Sequence, residues 1–110
     1  MRIWDISPKK LCRNHLLGEH RELHAIWAIL TENKIGYSAH PETIRWRGKL
    51  KALYLRHDKL VQDMNRRGYE HKTPLLKALA KGKCKQGEYV NSYKEQIEIL
   101  KSKKCDCKIC

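Results

Sequence analysis

Residues 41–68 read PETIRWRGKLKALYLRHDKLVQDMNRRG. Within this stretch Trp46, Leu50, Leu53, His57, Leu60 and Met64 recur four and three residues apart in alternation, the spacing of a helix with one buried stripe. Pro41 suits the first turn of a helix, and Gly68 after Arg66-Arg67 suits its end. The spacing therefore predicts a long helix after Pro41, stopped at Gly68.

Working outward toward the amino terminus, residues 33–40 contain Gly36 and Ser38 and precede a proline, which reads as a loop. Before it, Leu16, Leu23, Trp27 and Leu30 keep a helical period, widened by Leu17 and Ile26, and Asn14 can cap a helix from His15 to about Thr31. Ser7-Pro8 reads as a cap and first residue of a short turn reaching about Cys12. Toward the carboxyl terminus, Thr73-Pro74 opens a short helix through Ala80, and Gly82 and Gly87 mark a loop. Ser92 with Glu95 forms a capping box ahead of Ile97 and Leu100. There is no repeated unit and no alternating strand. The fold expected is all-α: a compact single-domain bundle of about three main helices with short connecting helices and an amino-terminal segment near the first long one. Residues 1–100 form that domain, and 101–110 a basic, cysteine-rich tail.

The chain carries 24 Lys+Arg against 12 Asp+Glu, a formal charge of +12. An excess of this size favours a polyanionic partner and fast, salt-sensitive association. No apolar run of membrane length occurs, and the start MRIWDISPKK lacks a signal peptide's apolar core, so a cytoplasmic monomer is expected, nucleoid-associated if prokaryotic.

The amino-terminal third carries a second pattern. His15, Glu19 and Glu22 are four and three residues apart and share one helix face, with Arg21 on its flank and the apolar positions opposite. Spacing alone also fits an ordinary solvated face. His15, Glu19, His20 and His24 could supply metal ligands, but the order His20-Arg-Glu-Leu-His24 departs from the zinc-protease pattern, and no cofactor is expected for catalysis.

The run His15-Leu-Leu-Gly-Glu-His-Arg-Glu-Leu23 resembles the central motif of the phage-type pyrimidine-dimer DNA glycosylases. Arg2-Ile3 at the start, and Lys49-Leu50 through Arg66-Arg67-Gly68-Tyr69 as the long helix and its ending turn, are similar to that family too. The resemblance covers roughly residues 1–30 and 45–72. It implies a DNA-repair glycosylase with abasic-site lyase activity on double-stranded damaged DNA, cyclobutane pyrimidine dimers above all. It implies further that the α-amine of the first residue attacks C1′ of the damaged nucleotide, forms a Schiff base and cuts the strand by β-elimination. An α-amine, with a reference pKa of about 7.7–8.0, is substantially neutral near physiological pH, which a lysine is not. In this sequence that amine is Met1's, because methionine is retained before the large side chain of Arg2, and the family's register is kept. The resemblance assigns Glu22 as the essential carboxylate, Arg2, His15 and Arg21 as active-site support, and Glu19 as a structural member of the motif. One position departs: Ala25 stands where the family has an arginine, with His24 beside it as a partial replacement.

Arg45, Arg47, Lys49, Lys51 and Arg56 crowd the predicted long helix, with Arg66 and Arg67 at its end. These, with His24, are the candidate DNA contacts, positioning the backbone without reading sequence; the alternative is a solubilising face. Trp46 belongs to the apolar stripe, and Trp4 packs either in the core or beside the active-site amine. Five cysteines are present, and Cys84 with Cys105, Cys107 and Cys110 could hold a structural zinc or iron–sulfur cluster, although the spacing matches zinc ribbons poorly. Two other functions stay open: a lyase or glycosylase for abasic, oxidised or ring-opened lesions, and a basic DNA-binding protein without chemistry.

Overall fold

A computed structural model describes residues 3–32, 36, 39–69, 75 and 77–102. Among these residues four α-helices follow one another: α1 (Arg13–Glu32), α2 (Pro41–Ile44), α3 (Leu50–Arg66) and α4 (Tyr93–Ser102), with short 3-10 turns at Pro8–Lys10 and Lys77–Leu79. No sheet forms among the described residues; one isolated bridge joins Lys49 to Gly82. The all-α expectation holds. Met1, Arg2, most of the 33–40 loop, Thr73-Pro74 and Cys105, Cys107 and Cys110 lie outside the described residues.

The layers are α1 against α3, with the amino-terminal segment packed beside them. Leu16, Leu23 and Ile26 of α1 meet Leu53 and Leu60 of α3, and Ile3 and Ile6 fill the seam; all are at most 1% exposed. Each such side chain stabilises the fold by roughly 1.5–3 kcal/mol. Trp4 and Trp46 are both in this core.

Helix α1 starts at Arg13, ahead of Asn14, which is an exposed residue of the first turn rather than the cap. Its first bonds reach back to Cys12, whose carbonyl accepts from the Leu16 amide at 2.9 Å.

The long helix expected after Pro41 is broken in two. α2 ends at Ile44, and α3 begins only at Leu50. Between them Gly48 takes φ +72°, a conformation that glycine alone adopts without strain. The break is braced from a distant part of the chain. The carbonyls of Lys81 and Lys83 accept from the amides of Lys51 and Ala52 at 3.0 and 3.1 Å, and the Lys83 amide donates to the Gly48 carbonyl at 2.9 Å. Residues 81–83 thus satisfy first-turn amides of α3 that a helix leaves without internal partners. Gly82 (φ +92°) lies so close that a Cβ there would collide with the Gly48 oxygen. Trp46 stays buried although it now sits in the turn.

Further on, the expected stop at Gly68 and the expected start at Ser92 are present, and of the short helix expected from Thr73-Pro74 through Ala80 the described residues show a 3-10 turn at Lys77–Leu79. Gly68 (φ +84°) closes α3: the Tyr69 amide donates to Met64 O at 2.9 Å and the Gly68 amide to Asn65 O at 3.0 Å, the paired bonds of a Schellman ending. At α4 the Ser92 amide donates to Glu95 Oε1 at 2.9 Å and the Glu95 amide to Ser92 Oγ at 3.2 Å, a complete capping box. His40 caps α2, its Nδ1 accepting from the Glu42 amide at 3.1 Å.

Candidate active site

Three consecutive backbone amides at the amino terminus are each taken by a side chain from a different helix. Ile3 N donates to Glu42 Oε1 of α2 at 3.1 Å, Trp4 N to Glu19 Oε1 of α1 at 3.0 Å, and Asp5 N to Gln96 Oε1 of α4 at 2.8 Å. The Gln96 amide group also donates to Asp5 Oδ2 at 2.9 Å.

Three arginines hold the carbonyls of the same segment. Arg45 donates to Ile3 O at 2.9 Å, Arg56 to Ile6 O at 2.9 Å, and Arg67 to Pro8 O and Leu11 O at 3.1 and 2.6 Å. They are eleven residues apart in sequence. Arg56 and Arg67, three helical turns apart on and just past α3, therefore point the same way. Each pairs with a buried acid: Arg45 with Glu42 (2.6 Å), Arg56 with Glu19 (2.7 Å), and Arg67 with Asp63 (2.7 Å), which Arg66 shares. Glu42, Glu19 and Asp63 are 3%, 2% and 4% exposed. Carboxylates so deeply buried persist only when paired and hydrogen-bonded. Burial pushes the Glu19 carboxyl upward, while Arg56 and the Trp4 amide pull it back; the net direction is up.

Along α1 the segment passes beside His15. The Trp4 ring meets the His15 ring edge-on, with centroids 5.8 Å apart, and His15 Nδ1 lies 3.2 Å from Cys12 Sγ. His15 and Glu19 thus share a flank of α1, but that flank is not opposite the apolar face. Glu19 is buried in line with Leu16 and Leu23, and its role is structural. Glu22, one turn further on, is half-buried. Arg21 is exposed beside a shallow depression of about 450 Å³ that it lines with Arg13 and His20.

Several cations expected to contact DNA are used inside the protein. Arg45 is 4% exposed and also bonds Asp5 and the Glu88 carbonyl. Lys49 is 7% exposed, with Nζ 2.7 Å from Gln86 Oε1. Arg56 and Arg67 grip the amino-terminal segment. Arg47 and Arg66 are exposed and Lys51 is half-exposed; Arg66 pairs with Asp63. A cleft of about 610 Å³ runs beside the segment, lined by the cations Lys9, Arg56, Lys59 and Arg66 together with Asp5 and Asp63. Lys9 and Lys59 were not among the sequence candidates, since nothing in their spacing joins them. Cys84 is exposed. His24 is engaged with His20 and His57, its Nε2 3.2 Å from each of theirs.

A family model described as pyrimidine dimer DNA glycosylase matches residues 1–77. The chain belongs to that family. Comparison with curated proteins finds no match, and neither does comparison with solved structures. Membership gives this glycosylase its general role in DNA repair and DNA as its partner. The match takes in the amino-terminal segment, α1, α2, α3 and all three arginine–acid pairs. The brace at residues 81–83 and Gln96 on α4 lie beyond it. Among the described residues, no helix of the glycosylase is long and apolar enough to cross a membrane.

Proposed function

We propose that the α-amine of Met1 attacks C1′ of a damaged pyrimidine nucleotide, a cyclobutane dimer in the first instance. The C1′–N bond breaks and the base leaves with its bonding pair. The sugar ring opens as the amine nitrogen and C1′ form an imine. A proton is then lost from C2′ and the C3′–O bond breaks, which cuts the strand on the 3′ side. Glu22 stabilises cationic character at C1′ and carries protons in the elimination. His15, Arg21 and Arg2 support the site, and exposed cations, Arg47, Lys51 and Arg66 among them, hold phosphates.

The observation that carries this reading is the grip on residues 3–6. Two residues span at most about 7 Å, so an amine at Met1 is tethered within that distance of a fixed Ile3. Positioning of this kind supplies much of the advantage of a tethered nucleophile. The grip follows the flank of α1 that bears His15 and Glu19, and Glu22 continues that flank.

A second lesion class is favoured by one feature. Ala25 is exposed and brings no cation, and His24 beside it is bound up with His20 and His57. The arginine expected there by resemblance has no replacement from either residue, which widens the reading to abasic and oxidised or ring-opened lesions. Incision of ultraviolet-irradiated DNA, compared with oxidised DNA and with an abasic duplex, tests the choice. Cutting of irradiated DNA at dimers supports the dimer reading; cutting of oxidised or abasic DNA alone replaces it with the second.

A further inference from the structure

His20 and His24 lie one turn apart on α1, and His57 faces them from α3. His24 Nε2 is 3.2 Å from both His20 Nε2 and His57 Nε2, and the three ring centroids form a near-regular triangle of 4.6, 5.0 and 5.1 Å. In the cluster His20 and His57 are buried and His24 is half-buried. Hydrogen bonding accounts poorly for this convergence. A neutral imidazole nitrogen offers either one proton or one lone pair, so His24 Nε2 can make one good bond to its two neighbours and not two.

A metal ion accounts for both short contacts at His24, and the three ring nitrogens all lie within 4.8 Å of one another. With zinc–nitrogen bonds of about 2.0–2.1 Å, two imidazole nitrogens on a tetrahedral ion stand about 3.3–3.4 Å apart. The separations at His24 are within about 0.2 Å of that edge. We propose that His20, His24 and His57 bind one divalent transition-metal ion, zinc or an ion of similar preference, through their Nε2 atoms. Imidazole nitrogens on a helix pair and a facing helix suit such borderline ions over calcium or magnesium, which take oxygen.

The ion pins α1 to α3 and takes no part in the glycosylase chemistry. Successive residues of a helix turn by about 100°, so Glu22, two residues from both His20 and His24, points roughly 160° away from them. The histidines line one flank of the buried face of α1, and His15, Glu19 and Glu22 the other. The site also accounts for His57, which occupies a stripe position otherwise filled by Leu53, Leu60 and Met64.

The full chain, stripped by chelator and titrated with zinc chloride, tests this when followed by ¹⁵N NMR of the histidine rings. The expected result is a joint shift of the His20, His24 and His57 Nε2 signals, complete at one equivalent, with a rise in Tm. In the half-buried variant His24→Gln, with helical circular dichroism retained, the joint shift is lost. Zinc taken up only by the cysteines leaves the ring nitrogens unmoved, and that result overturns the proposal, as does an unchanged joint shift in His24→Gln. Incision activity is a separate readout, so failure of the site and failure of the glycosylase reading are told apart.

Discussion

The Trp4 amide and the Arg56 guanidinium meet on one carboxylate, that of Glu19, at 3.0 Å and 2.7 Å. Through it the amino-terminal segment, α1 and α3 are tied at one point, beside the flank that bears Glu22. Glu42 with Arg45 repeats the device at Ile3.

Glu19→Ala leaves Arg56 without its buried partner and the Trp4 amide without its acceptor. A loss of about 3–5 kcal/mol is expected in urea unfolding. The pH dependence has a definite sign. Burial raises the Glu19 carboxyl, so the folded protein holds this proton at pH values where the unfolded chain has released it. Glu19's contribution to stability therefore falls as pH rises from the ordinary carboxylate range through its raised value, and is level above it. Glu19→Gln lacks that slope, so the stability of the wild type relative to this variant shrinks as pH rises across the window.

Two glycines respond oppositely to alanine. Gly82→Ala drives a Cβ into the Gly48 carbonyl from a left-handed backbone, with an expected cost of about 1–3 kcal/mol. Gly18 lies inside α1 with nothing within 4 Å of its Cβ position, so Gly18→Ala gains about 0.4–1 kcal/mol. Thermal unfolding of both variants checks the pair.

The cations separate into two groups by salt dependence. Arg47→Ala and Arg66→Ala each reduce the slope of log K against log salt for duplex DNA by about 0.9. Arg45→Ala instead strands Glu42 and destabilises by about 3–5 kcal/mol. Fluorescence anisotropy at several salt concentrations, paired with urea unfolding, makes the comparison.

Glu22→Gln removes a half-buried carboxylate without changing its shape. Stability is expected to stay within about 0.5 kcal/mol, while incision falls by about 10²–10⁴-fold. Single-turnover incision with circular dichroism of the same sample reads both.

Periodicity and end signals made most of the helices legible, because Gly68, Ser92 and Glu95 act within a few residues of themselves. The break before α3 was not, since Gly48 is held by Gly82, and nothing local to residues 41–50 encodes that meeting. The arginines were readable as charge but not as clamps. Arg45 and Glu42 have the i,i+3 spacing of an ion pair, yet only the fold brings Ile3 between them. Glu19 followed the same logic, since its place on the buried stripe is masked by its charge. His57 read as one more apolar position until α1 set His20 and His24 opposite it.

The central claim is that the amine of Met1, and not a side chain, performs the chemistry. Borohydride trapping on an abasic duplex, with native protein beside protein acetylated only at its α-amine, tests it most directly. A covalent protein–DNA adduct with the native amine and none with the acetylated one is the result expected. An equal adduct from both, or none from either folded sample, contradicts it.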